Sequence, residues 1–390
     1  MPETIEQHEQ PAIGNRNALI LSGGGARAAY QIGVLMAIKE IIPPQSNPFP
    51  IICGTSAGAI NAISLAANSD DFHYAVNQLE RLWTGLTIEH VIRTGWWDLL
   101  GGISRIGRSL FREGIDYHKP LSLLDNSPLN AFLKQNVDFS AIQRSIDRGA
   151  LHAVSVAALG YSSSDSVNFF QGVPELTEWR RYRRVGVRST LGMEHLLASS
   201  AIPWVFPTVR IGNEFFGDGA MRQLAPISPA LHLGADRVFV IGVSGNRHPN
   251  LKRHRFVAKH PPSMAQMAGH MLNSAFVDSL EADIEHIERV NGLLGLITKE
   301  QLEKAEMPLR PVKTLVISPS QQIDKIAGRK VRYMPKSLRF FMRTSGATAH
   351  AGGSTLASYL LFSKPFIDEL IDLGYQDAMW EKESIEAFFE

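Results

Sequence analysis

Twice within its first seventy residues the chain runs from a short apolar segment through a turn of small residues straight into a helix. No other feature constrains the fold as much. Ala18-Leu19-Ile20-Leu21 carries no polar side chain and ends in Ser22-Gly23-Gly24-Gly25. From Ala28, Ile32, Leu35, Met36 and Ile38 then recur at helical spacing until Pro43-Pro44 stops the run near Ile42. Pro50-Ile51-Ile52-Cys53 leads likewise into Gly54-Thr55-Ser56-Ala57-Gly58 and an alanine-rich helix to about Ala67. Strands that are apolar throughout suit a sheet covered on both faces, and alternation with helices predicts parallel pairing. Ala153 to Leu159, Val167 to Phe170, Arg237 to Val243 and Thr314 to Ile317 extend the series, and Ser345 to Glu390 reads as two or three helices. The expected fold is α/β: a three-layer sandwich with a central, mostly parallel sheet flanked by helices, plus a C-terminal helical extension. The expected division is a flexible tail over 1–16, a main domain over 17–245, and an extension over 246–390 that adds a strand and helices to the same globular unit.

Composition narrows the function classes. Lys plus Arg number 39 and Asp plus Glu 38 among 390 residues, so no broad basic excess exists to hold a nucleic acid, and none is expected as a partner. One cysteine excludes an intramolecular disulfide and a zinc site built from several thiolates, and no metal site is expected. The first residues, MPETIEQHEQPAIGNRN, lack the basic-then-apolar pattern of a secretory signal, and no apolar run reaches the ~20 residues that span a bilayer. The expectation is a cytoplasmic protein, an enzyme or a binding module, whose contact with any membrane is peripheral.

The two turns carry the chemistry. In Gly54-Thr55-Ser56-Ala57-Gly58 a serine sits between glycines two before and two after it, where a sharp strand-to-helix turn exposes its hydroxyl at a helix N-terminus. A plain strand-to-helix turn shares the pattern, and the strand before and helix after it leave both readings open. In Ser22-Gly23-Gly24-Gly25-Ala26-Arg27 consecutive glycines let backbone N–H groups converge on an anion. A nucleotide phosphate would call for Lys-Ser or Lys-Thr after the glycines, and a dinucleotide for glycine at position 28 and a carboxylate after the second strand; neither is present. The oxyanion of a tetrahedral intermediate is the third choice, and it needs a nucleophile on a neighbouring strand, which Ser56 would supply.

A serine also needs a base. His232, His270, His286 and His350 follow Ser56, but none lies in a glycine-flanked turn after a strand. A desolvated carboxylate can replace histidine, and Glu214-Phe215-Phe216-Gly217-Asp218-Gly219-Ala220 offers Asp218 at the end of a short aromatic strand. Alone, Asp-Gly signals only a turn. Cys53, three residues before Ser56, reads as a small core side chain rather than a rival nucleophile.

Gly23-Gly24-Gly25-Ala26-Arg27, then Gly54 to Gly58 about thirty residues on, then Asp218-Gly219-Ala220 stand in an order that resembles the patatin-like phospholipases, whose catalytic core is related to that of the cytosolic phospholipase A2 group. Ala29 to Leu35 and Ala198-Ser199-Ser200-Ala201-Ile202-Pro203 are also similar to that family, and the resemblance covers roughly Ala18 to Ala235. It implies a patatin-like catalytic domain within 17–245 and a serine lipid acyl hydrolase, a phospholipase A or lysophospholipase-like esterase working through an acyl-enzyme without a cofactor. Ser56 would be the nucleophile and Asp218 the base. Gly54 and Gly58 would frame the nucleophile elbow, and Gly219 and Ala220 would complete the aspartate motif. The oxyanion loop would comprise Gly23, Gly24, Gly25 and Arg27, the guanidinium supporting the loop or adding charge near it. One departure is Ala28, where the family often has glycine; altered helix packing is expected, not a lost donor. A Ser-His-Asp triad of the α/β-hydrolase kind and a non-catalytic lipid-binding module remain as alternatives.

Phospholipid or another acyl ester is the expected substrate. Lys325 to Arg343 holds seven basic residues and no acid, with Tyr333, Leu338, Phe340 and Phe341 interleaved, a pattern shared by a membrane-facing segment and by a solvated loop before a packed helix. Trp96 to Phe111 is rich in large apolar residues and could be a lid or ordinary cap packing.

Overall fold

The computed structural model describes residues 16–44, 47–98, 100–102, 104, 122–244, 263–304, 309–344 and 353–390. Five strands form the parallel heart of its sheet: β1 (Asn17–Leu21), β2 (Ile51–Thr55) and β3 (Ala153–Gly160) on one side, and β9 (Arg237–Ile241) and β10 (Lys313–Ile317) on the other. Beyond β3 come β4 (Ser166–Gly172), β6 (Arg184–Arg188) and β5 (Trp179–Arg181), with β4 antiparallel to β3. A hairpin of β7 (Val209–Ile211) and β8 (Glu214–Asp218) attaches to the far end of β3. The strand order 10-9-1-2-3 places β1 between the strand that follows it and strands from much later in the chain. The crevice beyond β1 is therefore a topological switch point, where open α/β sheets bind ligands.

Residues that alternate along the strands enter different layers. Leu19, Leu21, Ile52, Val154, Phe239 and Ile241 pack into one core with α1 (Ala29–Ile41), α2 (Ala57–Ala66) and α3 (Phe72–Gly85). Ala18, Ile20, Ile51, Cys53, Val238 and Val240 face a second core that includes Leu280 and Ile284 of the helix Ser279–Leu294. This is the expected three-layer sandwich. The expected strand over Arg237 to Val243 stops at Ile241, and the C-terminal stretch forms three helices, Gly353–Leu360, Lys364–Trp380 and Lys382–Phe389.

The later helices pack on the early ones at close range. A methyl group on Gly33 of α1 would collide with the Ile371 carbonyl oxygen, and one on Gly374 with that of Tyr30. Glycine on both helices allows their backbones to touch. Lys325–Arg343 proves to be mixed. Arg329 and Lys330 each pair with Glu369 at 2.9 Å, while Leu338 and Met342 are buried. Phe340 stays exposed and meets the Trp96 ring edge-on at 5.5 Å. Most of Trp96 to Phe111, and the tail 1–15, lie outside the described residues. Among those residues no helix is long and apolar enough to cross a membrane.

Candidate active site

Sheet register brings Ser56 and Asp218 together. β2 pairs with β3 up to Thr55 opposite Ala157, and β8 takes over along the same side of β3 with Asp218 opposite Ala158. The residue after β2 thus faces the last residue of β8. Ser56 adopts φ 54° and ψ −126°, a conformation that L-residues with a Cβ rarely hold, at the junction of β2 and α2. Its neighbours leave room only for glycine: a Cβ at Gly58 would collide with the Leu21 carbonyl oxygen, and one at Gly54 would lie 2.5 Å from the Gly58 carbonyl oxygen. The Ser56 N–H donates to Ser199 Oγ at 2.8 Å, which fixes the strained turn from outside.

Ser56 Oγ donates to Asp218 Oδ2 at 2.6 Å, and Asp218 Oδ1 accepts from the Ala220 N–H at 2.9 Å. Gly219 is required because a Cβ there would enter the Ala157 carbonyl. Asp218 is 0% exposed, and burial lifts its carboxyl to about 7 against the smaller opposing pulls of the Ser56 hydroxyl and the Ala220 N–H. A carboxylate with that pKa can take a proton near neutral pH.

The glycine loop lies beside this pair. The Ser56 Cβ and the Phe276 ring both approach the open face of Gly23, and Gly25 takes φ 56° against the Tyr359 carbonyl, a position no Cβ could share. Gly24 and Gly25 open a short 3-10 turn, whose first N–H groups have no partner within the turn. Arg27 does not reach toward the serine. It is buried, donates to Asp324 Oδ1 at 2.5 Å and to Ser358 Oγ at 2.8 Å, and lies 4.1 Å from the Tyr359 ring centre. Its charge is spent on tying the loop to the C-terminal helices.

Two contributions had no signal in the sequence patterns. One is Phe276, in a π-helical turn Ser274–Asp278. The other is a buried polar chain. Gln31 Nε2 donates to the Ser22 carbonyl at 2.8 Å, Asn61 Nδ2 to Gln31 Oε1 at 2.8 Å, and Trp83 Nε1 to Asn61 Oδ1 at 2.6 Å. It runs from the glycine loop to the wall of an apolar slot that opens at Ser56. Ile60, Leu82, Trp83, Leu133, Phe206 and Phe362 line that slot, which offers about 40 Å³, space for a few waters and not yet for an acyl chain.

The other candidates fall elsewhere. His232 stacks on Trp179 and its Nδ1 meets the Ser228 carbonyl at 2.8 Å, His270 and His286 are exposed, and His350 lies outside the described residues. Among the described residues Ser56 and Asp218 have no histidine as a hydrogen-bond partner. Cys53 is buried, and burial pushes its thiol up to about 12.

A family model described as patatin-like phospholipase matches residues 19–231, more than half the chain. The chain belongs to the patatin-like phospholipase family. Within it, a cGAMP-activated phospholipase of Pseudomonas aeruginosa is 28% identical over 219 residues, 55% of this chain and 56% of that one. A cUMP-AMP-activated phospholipase of Escherichia coli is 39% identical over 84 residues, 20% and 23% of the two chains. This patatin-like chain therefore spans about half the length of the first relative and about a quarter of the second. Among solved structures, VipD from Legionella pneumophila aligns with 95% of this chain and 67% of its own at 11% identity and a TM-score of 0.37.

Proposed function

We propose that this protein is a lipid acyl hydrolase in which Ser56 and Asp218 form a two-residue catalytic unit. The 2.6 Å hydrogen bond between them, inside the span that the family model matches, carries the reading. Ser56 Oγ attacks the ester carbonyl carbon as Asp218 accepts its proton. The carbonyl oxygen becomes an oxyanion, and the N–H groups of Gly24 and Gly25 stabilise it, each donor lowering the barrier by ~3 kcal/mol. When the carbon–oxygen bond to the alcohol breaks, Asp218 returns the proton to the leaving oxygen. Water, deprotonated by the same carboxylate, then attacks the acyl-enzyme; the fatty acid leaves and Ser56 regains its proton.

Phospholipid is the proposed substrate class, in keeping with the family and with the apolar slot at Ser56. Ser56 is only 2% exposed, so substrate entry requires the site to open. Both relatives are named for activation by a cyclic dinucleotide, and the proposal extends such activation to this chain.

The test is hydrolysis of phospholipid and of p-nitrophenyl esters by the full chain, with and without cGAMP and cUMP-AMP. Reaction with a fluorophosphonate, followed by peptide mass spectrometry, reads the nucleophile independently. Labelling at Ser56 and loss of turnover in Ser56→Ala and in Asp218→Asn are expected. Full activity in either variant overturns the assignment.

A further inference from the structure

We propose that a second apolar cavity beside the dyad binds the second acyl chain of a diacyl glycerophospholipid, making two-chain lipids the preferred substrates. The proposal rests on the Ser56 reading above and deepens it. The cavity offers about 210 Å³, against about 40 Å³ in the slot at Ser56, and Val205, Met221, Met271, Leu338 and Leu356 are among its walls. Ile202 and Leu360 line both spaces, so one partition separates them.

Backbone links place this cavity on the aspartate side of the dyad. Ile202 follows Ala201, whose carbonyl accepts the Asp218 N–H at 2.9 Å, and Met221 lies on the short helical turn that Asp218 caps. The slot begins at Ser56 and the second cavity is reached through Met221, three residues after Asp218, so an ester held at Ser56 would lie near both spaces. A glycerophospholipid presents that geometry, because its two acyl esters sit on adjacent glycerol carbons. With one ester at Ser56, the other chain leaves from within a few bonds and needs its own apolar path.

The mouth of the cavity is also unusual. Trp204 is 72% exposed at φ 63°, and Met271 is 55% exposed. An exposed tryptophan held in a left-handed conformation is a strained, solvated apolar group, and such strain gathers at ligand sites. Segment 122–124 holds it there, the Leu123 N–H donating to the Trp204 carbonyl at 2.8 Å and the Leu124 N–H to that of Val205 at 2.9 Å.

The experiment narrows the cavity without touching the slot. Met271→Trp adds bulk at a half-exposed position, and Leu356→Trp does so from a second helix. Dioctanoyl phosphatidylglycerol and 1-octanoyl lysophosphatidylglycerol are used below their micelle concentrations. Calorimetric Kd values are measured on the full chain carrying Ser56→Ala, and kcat/KM on the chain with Ser56 intact. Each narrowing variant is expected to weaken binding of the diacyl lipid about tenfold and to lower its kcat/KM as much, with the lysolipid changed less than twofold.

Equal changes for both lipids, or none for either in both variants, overturn the proposal. So does a loss confined to dioleoyl phosphatidylglycerol vesicles, assayed in parallel, which would assign this face to membrane contact. Failure of the serine reading looks different: Ser56→Ala would turn over lipid while the narrowing variants still separated the two lipids in binding. Thermal melts identify a variant that has not folded, and the other variant then decides.

Discussion

Asparagine at position 218 should abolish hydrolysis and, at the same time, stabilise the fold above neutral pH. The unfolded carboxyl titrates near ~3.9, whereas burial moves the folded one to about 7. Between those values the native protein retains a proton that the unfolded chain has released. Native stability therefore falls as pH rises through that window and levels off above it. At ~1.4 kcal/mol per pH unit the loss is about 2 kcal/mol at pH 5 and about 4 kcal/mol at pH 8. Asparagine is isosteric, never ionises, and can still meet both the Ala220 N–H and Ser56 Oγ, so Asp218→Asn removes the loss while keeping the contacts. Urea unfolding of both proteins from pH 5 to 9 should show a stability gap in favour of the variant that widens up to about pH 7 and then levels off. In the same series, wild-type kcat/KM should rise with pH and plateau above about 7, as the carboxylate becomes available as base. A gap independent of pH, or a variant less stable than wild type at pH 8, would refute the desolvated-carboxylate argument.

Other perturbations test the supporting structure. Gly25→Ala places a Cβ against the Tyr359 carbonyl at φ 56°, and kcat should fall at least ~100-fold with KM little changed, as when an oxyanion donor is displaced. Asp324→Ala strips the buried Arg27 of its carboxylate partner; a loss of about 2–3 kcal/mol in urea unfolding is expected, discounted because Asp324 is partly exposed. Trp83→Leu removes the largest side chain from the Ser56 slot and should shift preference on a p-nitrophenyl ester series toward longer acyl chains; an unchanged profile would remove that slot from chain selection. Gly33→Ala should lower stability by about 3 kcal/mol, read by chemical denaturation, because α1 and the helix Lys364–Trp380 cannot separate without disrupting the core they share.

Much of the sheet was legible because its signals are local. A run such as Ala18 to Leu21 can only be a strand buried on both faces, and each glycine turn announces the helix that follows it. The candidate Ser56 turn stood out for another reason: a strained elbow tolerates few residue types, so Gly54, Ser56 and Gly58 mark the sequence, whereas Asp218-Gly219 alone signals a turn and drew notice only by following the two other motifs. What stayed hidden depends on partners far away in the chain. Arg27 shows no sign of Asp324, about three hundred residues later, and Phe276 sits in a stretch whose apolar residues look like any helix. Gln31, Asn61 and Trp83 are each unremarkable alone, and only packing joins them into one chain of hydrogen bonds. The short strands β5, β6 and β7 escaped because runs of three to five mixed residues carry little period.

These hidden contacts explain how the site holds its strain. Ser56 and Gly25 both adopt positive φ, and Asp218 is buried with no cation among its hydrogen-bond partners in the described residues, so each would relax if its surroundings yielded. Local chemistry on β1, β2 and β8 does not supply that rigidity. It comes from Ser199 on the Ser56 N–H, from Tyr359 against Gly25, from Arg27 bound to Asp324 and Ser358, and from Phe276 against Gly23. Three of these four constraints come from residues beyond 263. The later helices are thus structural members of the environment of the Ser56–Asp218 pair. An equilibrium that shifted Phe276 or Tyr359 would reach the glycine loop directly, without passing through the sheet.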